Sequence, residues 1–199
     1  MFFKKACFAG LFFCMMENMR GEGSTMTKLL LGTIFLFLDY SLPFGNGVLG
    51  LLPDFVGYAL LWFGAKELDS YGDRFEDTRL YSLILLPVTG IIYVLDALGV
   101  TNLLGVYGLL ALRVLMTCAA LFVSYCLIFA INQVEVKLRR PMDTVQLMDS
   151  WRVSALFLAM AYVMLLVSFL ARFSSMVLLA AGLYYVICFA RSWLKYLKK

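Results

Sequence analysis

The chain has 199 residues, 63% of them hydrophobic and 15% charged, with a formal net charge of +4 and a mean hydropathy of +0.88. A water-soluble domain is nearer half apolar and one quarter charged, so this chain cannot cover itself with polar surface and its excess apolar side chains must face lipid. Histidine is absent and the five cysteines show neither a CxxC nor a metal-ligand spacing, which excludes HExxH zinc sites, histidine-dependent phosphatases, Ser-His pairs and a disulfide scaffold.

Residues 1–25 stand apart from the rest. Lys4-Lys5 followed by the apolar run 6–16 has the look of a signal-peptide start, but no small-residue cleavage site follows. Arg20-Gly21-Glu22-Gly23, just before Met26, is what a purine-rich ribosome-binding site becomes when translated in frame. The sequence therefore predicts a non-native or signal-like extension over 1–25 and a single transmembrane domain over 26–199.

The stretch 28–66 holds two apolar halves, each too short to span a bilayer alone. Pro43, Gly45 and Gly47 lie between them and predict a broken or re-entrant first hairpin, a backbone tolerated at membrane depth only where protein or a cavity surrounds it. Pro53-Asp54 is a helix restart, with Pro53 at the first helical position. A third span is predicted over 80–95, extended past Asp96 by Ala97 and Leu98 and kinked at Pro87. Three further runs, 114–131, 153–171 and 173–190, carry no charge and have 18, 19 and 18 residues, enough to approach a hydrocarbon core of about 30 Å. The fold class is thus an all-α, polytopic membrane bundle of about six helices.

Alternate connections differ in cations. Lys66, Arg74 and Arg79 fall on one, Lys137, Arg139, Arg140 and Arg152 on another, and Arg191, Lys195, Lys198 and Lys199 close the chain. Residues 40–53 and 97–104 carry neither Lys nor Arg. Six crossings of the cell membrane with both termini in the cytoplasm satisfy every connection.

Four charges fall inside or at the edge of spans: Asp39, Asp54, Asp96 and Arg113. Charge at such depth costs about 3 kcal/mol at the helix centre, so these residues seek partners or a wet cavity. Asp96 and Arg113 are equidistant from Leu104-Gly105, which predicts that they face one another across a hairpin. All four belong to a candidate binding site on the outer side, a polar cup for a ligand, with a structural alternative in which Asp96–Arg113 is a staple and Asp54 favours a helix N-terminus. Asp39 has no obvious cation of its own. Trp62, Trp151 and Trp193 read as interfacial anchors, and the terminal Lys195–Lys199 cluster as attractive to anionic headgroups.

No P-loop and no GxGD-type acid motif is present, so no catalytic residue, cofactor or metal is implied and the chain reads as a non-enzyme. The partners it implies are the lipid bilayer and a protein docking through the 133–152 loop, with no nucleic acid. The function classes left are a small transport or ligand-binding component, with a non-catalytic scaffold or partner subunit as the alternative and an intramembrane enzyme behind both. The ligand is not specified by any motif.

The segment Leu52-Pro53-Asp54-Phe55-Val56-Gly57-Tyr58 resembles the Leu-Pro-Asp-Phe-x-Gly-Tyr motif of a family of uncharacterised bacterial multi-pass membrane proteins. That resemblance covers mainly residues 28–68 and implies a membrane location without an activity. In size and helix number the chain also resembles the substrate-capturing component of energy-coupling-factor vitamin transporters, but its first helix lacks their Ala-xxx-Ala pattern.

Overall fold

The computed structural model describes residues 24–38, 41–44, 47–50, 53–69, 72, 74–138, 142–167 and 169–197. Helices α1 (Ser24–Phe37), α2 (Asp54–Leu68), α3 (Arg74–Ala97), α4 (Gly105–Leu138), α5 (Thr144–Leu165) and α6 (Ala171–Leu197) form an up-and-down bundle. Four of them, α3 to α6, are long and apolar enough to cross a membrane. Of the extension expected over 1–25, residues 1–23 lie outside the described residues, and Ser24 and Thr25 open α1.

The broken first hairpin takes a definite form. Two strands, β1 (Ser41–Phe44) and β2 (Gly47–Gly50), separate α1 from α2 and pair antiparallel with Ser41 opposite Gly50 and Phe44 opposite Gly47. The sequence did not predict strands here. With 14 and 15 residues, α1 and α2 reach only about 21 and 22 Å, short of the ~30 Å core. A four-residue strand adds about 13 Å, so helix plus strand has the reach of one crossing on each side. A two-stranded ribbon keeps open edges, and β2 lies against α3, which covers one side.

Although short, α1 is the most enclosed helix. Leu29, Leu30, Leu31, Phe35 and Phe37 are buried, and α1 packs on α2, α4 and α6. Its approach to α2 depends on glycine. A Cβ on Gly32 would lie 2.9 Å from the Gly57 carbonyl oxygen, and one on Gly57 3.0 Å from that of Gly32. Such backbone contact replaces side-chain interdigitation where small residues face each other. The core continues through Tyr58 and Leu61 of α2, Val123, Leu127 and Ile128 of α4, and Tyr185 and Phe189 of α6.

Three expectations are refined. Pro53 is the cap of α2, extended at φ −72° and ψ 126°, and Asp54 is the first helical residue. Residues 133–152 are mostly not a loop: α4 runs to Leu138 and Thr144 already belongs to α5, whose first turns continue straight to Leu165. Trp151, expected as an interfacial anchor, also joins α5 to α4, its indole Nε1 donating to the Leu121 carbonyl at 3.1 Å and to Ser124 Oγ at 3.0 Å. Pro87 sits within α3, which the helix accommodates without interruption.

Candidate functional site

The two ends of the bundle differ. One, the charged end, gathers Ser24, the α2–α3 and α4–α5 connections and Leu197. The other, the hairpin end, holds the strands, the α3–α4 connection and the α5–α6 turn.

At the charged end, polar side chains join neighbouring helices. Glu67 accepts from Thr25 Oγ1 at 2.7 Å and pairs with Lys28, and Arg79 bridges to Asp69 at 2.8 Å. Burial works to raise the Glu67 carboxyl, but hydrogen bonds from Lys28 and Thr25, with the charge of Lys28, outweigh it and hold the group below its ordinary value. Glu135 accepts from the Met142 N–H and the Thr144 N–H, both at 3.1 Å, and from Thr144 Oγ1 at 2.5 Å. It thereby caps α5 from α4, while Asp143 before the helix is left-handed at φ 52° and caps nothing with its own side chain. Lys195 pairs with Asp143, and Ser192 Oγ donates to the Met142 carbonyl.

At the hairpin end the chain breaks in the depth of the bundle. The Phe37 carbonyl, at the end of α1, abuts Gly182, where a Cβ would fall 2.2 Å from its oxygen. Gly182 lies near the middle of α6, so α1 stops about halfway along its neighbour. The Phe37 and Tyr185 rings meet at 4.8 Å. On the other side of the hairpin, Phe55 meets Tyr93 of α3 at 5.5 Å, so α2 starts about one turn below the end of α3. The Leu-Pro-Asp-Phe-x-Gly-Tyr residues thus have assignable positions: Pro53 and Asp54 start the helix, Phe55 meets α3, Gly57 admits α1, and Tyr58 is 1% exposed in the core.

The four candidate charges are not brought together. Asp39 lies outside the described residues. Asp54 occupies the first turn of α2, where the helix dipole favours an acid. Asp96 is three residues beyond Tyr93 and half-buried, so it shares the hairpin end with Asp54 on a packed neighbour. Arg113 is exposed, and no ion pair joins it to Asp96. The reason is the connection. Gly99 (φ 71°) and Gly105 (φ 68°) bracket a 3₁₀ turn, Val100–Leu104, so α4 begins at Gly105 and Arg113 falls about 12 Å down its axis while Asp96 stays at the end of α3. Equal spacing from Leu104-Gly105 does not mean equal depth when that dipeptide is not the apex. What fixes this part of α4 is its backbone: the Arg113 carbonyl accepts from Thr117 Oγ1 at 2.9 Å and from the Tyr162 hydroxyl at 3.4 Å, which ties α4 to α5.

Sequence reasoning missed the Glu135–Thr144 cap and the Phe37–Gly182 approach. Ala180-Ala181-Gly182, a run of small residues inside an apolar helix, was the available signal for the second. The first had none, because it joins residues across a connection of unknown shape. Among the described residues no group of acids and cysteines is spaced to hold a metal ion.

Helices of this length and apolarity, bundled around a broken first pair, define a membrane-embedded α-helical protein. No protein-family model, curated protein or solved structure matches the chain.

Proposed function

We propose that the protein is a small multi-pass component of the cell membrane that binds a cation at the break between α1 and α2, in a transport or ligand-binding role. The observation that carries this reading is the stop of α1 against the middle of α6, with α2 restarting beyond a hairpin. Discontinuous helices in transporters expose carbonyl ends and dipoles at depth, where they bind ions. Here Asp39 follows α1 by one residue after Leu38, Asp54 begins α2, and Asp96 stands on the adjacent α3. The acids favour a cation over an anion. In this reading α1 with β1, and β2 with α2, make the first two of six crossings. The gathering of Lys28, Lys66, Arg74, Arg79, Lys137, Arg191 and Lys195 at the charged end supports a cytoplasmic side for that end and for both termini. Membership of the family carrying the Leu-Pro-Asp-Phe-x-Gly-Tyr motif belongs to the same proposal.

The test is the thermal midpoint of purified protein titrated with sodium or potassium chloride against choline chloride. A saturable rise with one cation, lost in Asp39→Asn and Asp54→Asn, supports the reading, and superimposable curves for all three salts overturn it. Reporter fusions after residues 72 and 145 should report cytoplasm, and one after residue 101 the outside. A second reading, a non-catalytic partner subunit, is favoured by an open apolar groove of about 420 Å³ on α3 lined by Pro87, Gly90, Ile91, Val94 and Leu95. Equal salt curves, with a partner co-purified in stoichiometric amount and lost on Gly90→Trp, would support it instead.

A further inference from the structure

At the charged end, a groove between α5 and α6 combines two chemistries in sequence. Its floor near the helix ends holds Asp143, Gln146, Arg191 and Lys195. Lys195 is tied to Asp143, but Arg191 is exposed and enters no ion pair among the described residues. Gln146, also exposed, adds an amide donor from the first turn of α5, where the dipole favours an anion.

Further along, the exposed faces of both helices turn apolar. Val153 and Leu156 continue the α5 face that carries Asp149, at spacings of four and seven residues, and Ile187 and Tyr184 continue the α6 face from Arg191 at the same spacings. All four are exposed. An amide-bearing floor whose unpaired charge is the Arg191 cation, beside exposed apolar helix faces, matches a phospholipid, phosphate first and acyl chains after. A soluble phosphate would leave the apolar faces unused. The hollow between Asp143 and Arg191 admits only about 20 Å³, roughly one water, so a phosphate rests at its mouth.

We propose that this groove is a binding site for an anionic phospholipid of the leaflet at the charged end, with Arg191 and Gln146 holding its phosphate. The guanidinium offers a planar fork to two phosphate oxygens, and since Lys195 is offset by Asp143, Arg191 is the cation that selects the anion. The site is independent of the break between α1 and α2, and the two can fail separately.

The experiment follows the thermal midpoint of detergent-purified protein titrated with phosphatidylglycerol, phosphatidylcholine or inorganic phosphate. Phosphatidylglycerol should give a saturable rise that phosphatidylcholine does not. Arg191→Gln, an exposed position whose change leaves the fold in place, should raise the half-saturating concentration about fivefold, from roughly 1 kcal/mol per cation near a lipid surface. Arg191→Lys should recover part of that loss, and Arg113→Gln, remote on the hairpin half of α4, should behave as wild type. Equal responses to the two lipids, or an unchanged curve for Arg191→Gln, overturn the proposal. A rise with inorganic phosphate alone that blocks the lipid response also overturns it, because the site would then belong to a soluble phosphate ligand.

Discussion

The two ends of the bundle are held by different physics. At the charged end, helices meet through side chains, Lys28 with Glu67, Arg79 with Asp69 and Glu135 with the start of α5. At the hairpin end they meet through backbone, the Phe37 carbonyl on Gly182, and through the Phe37–Tyr185 and Phe55–Tyr93 rings. The difference follows from solvent. Water and headgroups at the charged end let long polar side chains find partners cheaply, whereas in an apolar interior close approach of small residues is the available means of fixing two helices. A polar contact can be lost one bond at a time. A backbone contact admits no added atom.

Substitution at Gly182 tests the second half of that statement with the largest expected effect. Gly182→Ala places a methyl carbon 2.2 Å from a carbonyl oxygen, and neither partner can rotate away. Overpacking of this kind costs roughly 3 kcal/mol or more, and the expected outcome is loss of the monodisperse peak on size exclusion. Gly90→Ala, at the same end, meets only the Phe55 Cβ at 3.9 Å and should instead hold or raise the thermal midpoint, since alanine is the better helix former. If both variants behave alike, backbone contact is not what fixes that end.

Next in size is Glu135→Ala at the charged end. It strands the Met142 and Thr144 N–H groups and should cost about 2 kcal/mol, read as a lower midpoint with the helical signal retained. A neutral result would mean that α5 is capped by solvent. Smaller still is the coupling of Asp96 and Arg113, which form no ion pair. Asp96→Asn and Arg113→Gln should add within about 0.5 kcal/mol in a double-mutant cycle, whereas a larger coupling would restore the staple that the sequence pointed to.

The smallest effect concerns acid. Folding lowers the Glu67 carboxyl below its ordinary value of 4.5, so the stability it contributes is present above that value and is lost as pH falls through the lower folded value. The thermal midpoint should decline over that interval, and Glu67→Gln should flatten the decline. Because Glu67 is partly exposed, the effect is modest and should weaken in salt.

The same contrast explains what was legible in the sequence. Charge-free runs gave α4, α5 and α6, and Pro43 with Gly45 and Gly47 marked the break in the first hairpin, because hydropathy and backbone-breaking residues act locally. The strands were not legible: the four residues of β1 include Pro43 and the four of β2 include two glycines, neither carries an alternation, and their register depends on each other. Asp54 and Asp96 lie together at the hairpin end, one at the start of α2 and one near the end of α3. Arg113 was misplaced by counting along the chain, since the 3₁₀ turn moved the apex of the connection. The boundary of α5 lies earlier than Arg152 suggests, because that cation sits within the helix and pairs with Asp149 at 3.3 Å on its exposed face. Charge marks a solvated surface, and a helix need not end where that surface begins.

The enclosure of α1 has a consequence for how the chain is made. Synthesis proceeds from the N-terminus, so α1 leaves the ribosome before any helix that encloses it. Its 14 residues are too few to be held across a bilayer on their own, and its glycine contacts have no partner until Gly57 and then Gly182 are made. Assembly therefore cannot fix helices in the order of their translation. The contact between the end of α1 and Gly182 forms only after α6 has been made, and a chain truncated before residue 182 lacks it.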